Sequence, residues 1–175
     1  MVKALVNFIK AVYNFSDKYL VGLFDLFARL YIANIFFQSG LLKFRNYLNN
    51  NWDLTIELFT SEHPPILRPE VMKFLGFSGD PIQIMPIHFA AFLGTFSEIF
   101  FSLLLAIGFL GRIGAFGLLM VTLIIQITYK DLNEHYYWFI ILGMFFVRGA
   151  GKISIDHLIK VNFLENKSGK QSGKR

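Results

Sequence analysis

The sequence predicts an all-α integral membrane protein, a four-helix bundle with its N- and C-termini in the cytoplasm, and three observations carry that prediction. Hydrophobic residues make up 54% of the 175 and phenylalanine alone supplies 21, which is too apolar for an ordinary soluble domain. Only 17% of residues are charged, and they gather in a few segments, leaving stretches long enough to cross a ~30 Å hydrocarbon core at ~1.5 Å per residue. The basic residues before the first stretch, between the second and third, and after the fourth fall on one side.

Each element follows from its own pattern. In residues 2–18, Val2, Leu5, Val6, Ile9, Val12 and Tyr13 recur at helical spacing between Lys3, Asn7, Lys10, Asn14 and Lys18, so an interfacial helix lying on the membrane is expected. Asn7 and Lys10 interrupt the apolar run and no small-residue cleavage site follows, so the first span is expected to act as the insertion signal. That span covers about 19–42 and contains Asp25 and Arg29. The loop 44–84 carries Trp52, Leu54, Phe59, Phe74 and Phe77, broken by Pro64-Pro65 and Pro69, and is expected to fold in part as a cap. Spans at about 85–110 and 113–129 are separated only by the turn at Gly111 and Arg112, which requires an antiparallel hairpin. A short fourth span, 136–150, ends on Gly149-Ala150-Gly151. A second interfacial segment at 153–163 closes a single membrane domain, and 164–175 reads as a disordered basic tail.

Lys3, Lys10 and Lys18, then Arg112, then the lysine-rich tail share one side, which the positive-inside rule makes the cytoplasm. On the outer side, Asp53, Glu57, Glu62, Glu70 and Asp80 outnumber Arg45, Arg68 and Lys73. The formal net charge of +5 does not point to nucleic acid, because six of the 17 basic residues lie from Lys152 onward, where a tail facing anionic lipid accounts for them. Cysteine is absent, which excludes disulfide exchange, thiolate-bound metal and iron–sulfur ligation, so any redox role depends on a bound cofactor or a partner.

Ionisable residues at mid-membrane are expensive unless paired, so each is a candidate site. Counting helical rise from the predicted ends of the spans puts Arg29 and Glu98 at nearly the same depth and Arg148 close by, with Asp25 one turn from Arg29. A compact network of Asp25, Arg29, Glu98 and Arg148 is therefore expected. Its roles are either a clasp between helices or a binding and proton-transfer site, in which Glu98, not arginine, carries the proton. Gln38, Ser39 and Gln126 are further polar candidates nearer the outer end. His63, His88 and His135 fall on the outer side without metal-ligand spacing, and wet interfacial imidazoles explain them more simply than a metal site. Tyr136-Tyr137-Trp138 reads as an interfacial aromatic belt.

Three runs in this chain resemble the DoxX family of small bacterial inner-membrane proteins, over roughly Leu23 to Leu158. They are Leu26-Phe27-Ala28-Arg29-Leu30 continuing to Gln38-Ser39-Gly40-Leu41-Leu42-Lys43, then Gly94-Thr95-Phe96-Ser97-Glu98 with Gly108-Phe109-Leu110-Gly111-Arg112, and the closing Gly149-Ala150-Gly151-Lys152-Ile153-Ser154-Ile155-Asp156. The resemblance implies a four-helix membrane bundle and association with quinol, sulfur or oxidative-stress redox systems. It singles out Gly149, Gly151, Ser154 and Asp156 as the family's closing motif.

Two functions are carried forward. One is a redox-associated membrane subunit that holds a quinone or quinol headgroup near Glu98 and Arg29 while a membrane or peripheral redox protein supplies the redox centre. The other is a non-catalytic anchor or assembly subunit whose charges only clasp helices and which recruits a partner. A small transporter is a third reading, weakened by the lack of an inverted repeat. None of these fixes the oligomeric state, and a homo-oligomer is compatible with each. A pocket beside Glu98 favours the first; a dry, fully paired Glu98 favours the second.

Overall fold

The computed structural model describes residues 2–61, 64–128 and 133–172, and these form helices joined by turns, with no strand among the described residues. The first helix, α1 (Val2–Phe15), buries none of its residues and passes through a π-helical turn, Ser16–Leu20, into α2 (Val21–Leu48). The backbone stays helical across that junction, so the expected interfacial helix and first span join without a loop. With 28 residues, α2 is about 42 Å long. It stops at Asn49-Asn50-Asn51, where Asn50 takes the left-handed conformation (φ 56°) that asparagine tolerates better than most side chains.

The connection to the next long helix is folded, as its apolar residues require. Helix α3 (Trp52–Ser61) packs against α2 and the following long helix, with Thr55 fully buried. After it, Leu67 N–H donates to Ile82 O (2.9 Å) and Ile84 N–H to Pro65 O (2.8 Å) around the short α4 (Pro69–Phe74). Arg68 N–H reaches Ile127 O (3.0 Å), which ties this connection to the bundle. We call this the cap end.

Helix α5 (Ile87–Ile107) starts behind Pro86 and ends on Gly108, whose φ of 71° closes the helix through N–H donation to Leu104 O (3.0 Å). Helix α6 (Gly111–Thr128) follows at once, giving the expected hairpin. Close contact between the two depends on Gly114: a Cβ there would lie 2.9 Å from both Leu105 N and Phe101 O, backbone atoms that cannot rotate away. Helix α7 (Asn133–Arg148) packs along α6 and touches α2, and α8 (Ile155–Ser172) runs past the position where the sequence places a disordered tail.

The core draws on α2, α5, α6 and α7: Ile32, Phe36, Leu105, Leu118, Leu142 and Phe145 bury their side chains together. Outside it, Phe24, Phe27, Phe100, Ile140 and Val147 are exposed, a surface that suits lipid and not water. Among the described residues, three helices, α2, α5 and α6, are long and apolar enough to cross a membrane. The expected fourth span corresponds to α7, which has 16 residues and is about 24 Å long because Gly149 (φ 87°) ends it.

Candidate functional site

The expected four-residue network is divided by the structure into two sites at opposite ends of the bundle. Glu98 does not meet Arg29. Its carboxylate is held by Lys43, whose ammonium donates to Oε1 at 2.8 Å and Oε2 at 2.7 Å and also to Ser39 Oγ at 3.1 Å. Both charged side chains are buried, 11% and 4% exposed, so the pair is shielded from water.

The reason for the displacement lies in the length of α2. The depth estimate ends that helix near Leu42, at the edge of its apolar run, but the helix continues through Phe44, Arg45, Asn46 and Tyr47 to Leu48. The register against α5 is set instead by Gly40, where a Cβ would approach Glu98 Cβ to 3.0 Å and Ile99 N to 3.1 Å. Gly40 lies eleven residues beyond Arg29, so Glu98 is about 16 Å further along the axis than Arg29. Lys43, one turn past Gly40 on the same face, is then the cation within reach.

A cavity of about 470 Å³ opens beside this pair, between α2, α5, α6 and α7 and under Phe59 and Met85 of the cap. Its walls are mostly apolar, and its polar groups are few: Ser39, Lys43, Ser97, Glu98, Thr128 and His135. That composition and size match a pocket for a small, largely apolar molecule with a polar end. Leu93, Phe116 and Met120 line it and are also exposed on the flanks of α5 and α6, so the cavity reaches the lipid-facing surface. Phe59 closes the cap side, its ring 5.8 Å from Lys43 Nζ and in contact with the Gly94 position.

His135, expected at a wet interface, is buried; its Nδ1 is 2.7 Å from Gln126 Oε1 and its ring packs on Trp138 at 4.8 Å. Trp138 is half-buried and packs against the core of the bundle. His88 is exposed on the first turn of α5, and His63 lies outside the described residues. No cluster of three His, Cys, Asp or Glu able to hold a metal occurs among the described residues. Gln38 is exposed and donates to Asn34 Oδ1 at 3.4 Å.

At the opposite end, which we call the tail end, Arg29 is buried and donates to Ala150 O and to Ile153 O (2.9 Å), with Asp25 and Asp156 close enough to act on its charge. Arg148 lies 3.7 Å from Asp25 and is half-exposed, so three of the four expected partners do gather here. The closing motif has a physical role at each position. Gly149 and Gly151 take φ of 87° and 83°, and Asp25 packs where a Cβ on Gly151 would go (2.9 Å). Ser154 Oγ accepts from His157 N–H (3.2 Å), capping α8. Asp156 accepts from Leu110 N–H and Gly111 N–H, both at 2.8 Å, and so caps α6 across the bundle.

Lys43 stands outside the expected charge network, although it closes the first of the three runs that resemble the family. A lysine three residues after a glycine at the end of one apolar run, with a lone acid in the middle of the next, is the signal that could have found it. A family model for DoxX matches residues 24–131, a stretch that includes both Lys43 and Glu98. No curated protein and no solved structure matches the chain.

Proposed function

The chain belongs to the DoxX family of membrane proteins, and from that premise we propose that it is a redox-associated membrane subunit whose cap-end cavity holds the ring of a quinone or quinol. The observation that carries this reading is the cavity of about 470 Å³ lying against the buried Lys43–Glu98 pair and reaching the lipid-facing flank of α5 and α6. A lipophilic ring entering from the bilayer would bury its apolar body among Phe36, Phe101 and Val121 and meet polar groups only at one end.

The chemistry follows from the pair. Lys43 donates to both Glu98 oxygens, occupying one direction of each, while a carboxylate offers about four acceptor positions. The remaining capacity suits a quinol hydroxyl, which donates to Glu98 and can pass one of the quinol's two protons there as two electrons leave to a flavin or metal centre on a partner protein, the second hydroxyl releasing the other proton to solvent. Lys43 and the Ser39 hydroxyl are the donors available to the quinone carbonyl once the proton has gone. Arg29, about 16 Å away, takes no part and serves the tail end.

In this reading α7 makes the fourth crossing, the cap faces away from the cytoplasm, and both termini are cytoplasmic in a bacterial inner membrane. The arrangement of Lys3, Lys10, Arg112 and Lys152 against the acidic cap supports that orientation. The exposed apolar face of α1 supports its lying against lipid. The anchor reading retains one specific observation: Glu98 already has a buried counter-charge in Lys43, as a purely structural clasp would.

A cavity-filling variant separates the two readings. Ser97 lines the cavity and takes no part in the Lys43–Glu98 hydrogen bonds, so Ser97→Phe should abolish saturable binding of a quinone analogue while the protein still folds. Equal binding by the variant would remove the cavity from the account.

A further inference from the structure

We propose that a second crevice, at the tail end, binds the phosphate of an anionic phospholipid headgroup. This goes beyond the quinone reading and is independent of it. The crevice has a volume of about 550 Å³ and is formed where α6, α7 and α8 meet the start of α2. Four cationic side chains line it: Arg112, Arg148, Lys152 and Lys160, with His157 beside them.

Two carboxylates also line it, and both are committed elsewhere. Asp156 accepts the two backbone N–H groups at the start of α6, and Asp25 is buried and interacts with the charge of Arg29, which does not line the crevice. The cations are less fully engaged. Arg148 stands 3.7 Å from Asp25, beyond the ~2.7–2.9 Å of a closed charge-assisted hydrogen bond, and its other contact is Met144 Sδ at 3.8 Å. Arg112 gives one donor to Val147 O (3.1 Å) and Lys152 one to Asp17 O (2.8 Å), which leaves further donors on each. A guanidinium pair with flanking lysines is suited to the several acceptor oxygens of a phosphate.

The rim distinguishes a lipid from a free anion. Ile113, Val147, Ile153 and Ile155, the chain neighbours of the lining residues, are exposed apolar side chains. A phosphate seated in the crevice would therefore have a surface for acyl chains directly beside it, at the end of the bundle where α5 gives way to α6. Soluble phosphate would gain nothing from that surface.

The test is thermal unfolding of delipidated, detergent-purified protein titrated with short-chain phosphatidylglycerol, short-chain phosphatidylcholine and inorganic phosphate at matched ionic strength. Phosphatidylglycerol should raise the midpoint saturably and phosphatidylcholine should not. Lys160→Gln, at an exposed position whose loss should not impair folding, and Arg148→Gln should each shift the half-saturating concentration upward, by about tenfold for the double variant. Lys10→Gln on α1, away from the crevice, should leave it unchanged. Equal response to phosphatidylcholine, or wild-type affinity in the double variant, would overturn the site. Inorganic phosphate acting at the same concentrations as phosphatidylglycerol would overturn the lipid as its source.

Discussion

Removing Lys43 alone should destabilise the protein more than removing Lys43 and Glu98 together. In Lys43→Met, the Glu98 carboxylate stays 4% exposed between α2 and α5 with its cation gone. Breaking a buried pair from one side in this way costs about 3–5 kcal/mol. For a chain of this size that corresponds to a fall in Tm of roughly 6–20 °C at about 2–4 °C per kcal/mol. In Glu98→Met the ammonium keeps Ser39 Oγ at 3.1 Å and the Phe59 ring, so its loss should be smaller, about 2–3 kcal/mol. The double variant replaces two buried charges by apolar side chains of similar volume and should return to within about 1–2 kcal/mol of wild type. The assay is a double-mutant cycle on thermal unfolding in mild detergent, with a coupling energy of at least about 3 kcal/mol expected. Additive losses, with the double variant the least stable of the three, would refute the direct pair.

Three further outcomes test other parts of the structure. Arg29→Met should lower stability by about 2–4 kcal/mol, because Ala150 O and Ile153 O lose a charged donor and Asp25 loses a neighbouring cation; proteolysis should show the α7–α8 junction opening first. Asp156→Ala removes the acceptor for Leu110 N–H and Gly111 N–H and should cost about 1–2 kcal/mol, read as a lowered Tm, with Asp156→Asn intermediate because its single amide oxygen can serve one donor. Gly114→Val should separate α5 from α6, since the atoms 2.9 Å from a Cβ there are backbone; a loss above about 3 kcal/mol or failure to accumulate folded protein is expected, whereas Gly143→Ala, with open space around it, should be neutral.

The α5–α6 hairpin was legible because only Gly108 to Gly111 separates two long apolar runs, too short a connection for anything but antiparallel neighbours. The tail-end cluster was partly legible: Asp25, Arg29 and Arg148 are brought together as the depths of their spans require. The unexpected part is that Arg29 spends its donors on carbonyls of the turn after α7, groups that no side-chain pattern reveals. Glu98 was placed with the wrong cation because hydropathy marks where apolar residues stop, not where a helix stops. Helix α2 continues six residues past Leu42, and its register on α5 is set by the Gly40 contact, a feature of packing between residues more than fifty positions apart. His135 was read as interfacial from its place near a turn, yet Gln126 and Trp138 supply it with a buried environment.

The most direct test of the cap-end cavity is quinone content and quinone-analogue binding by protein purified in mild detergent. Wild type, Ser97→Phe and Glu98→Gln would be compared after each is shown to be folded. The account predicts saturable binding by wild type, none by Ser97→Phe, and binding weakened about tenfold by Glu98→Gln as one charged acceptor becomes a neutral one. A folded wild-type protein that neither carries nor binds quinone would contradict it and leave the Lys43–Glu98 pair as a clasp between α2 and α5.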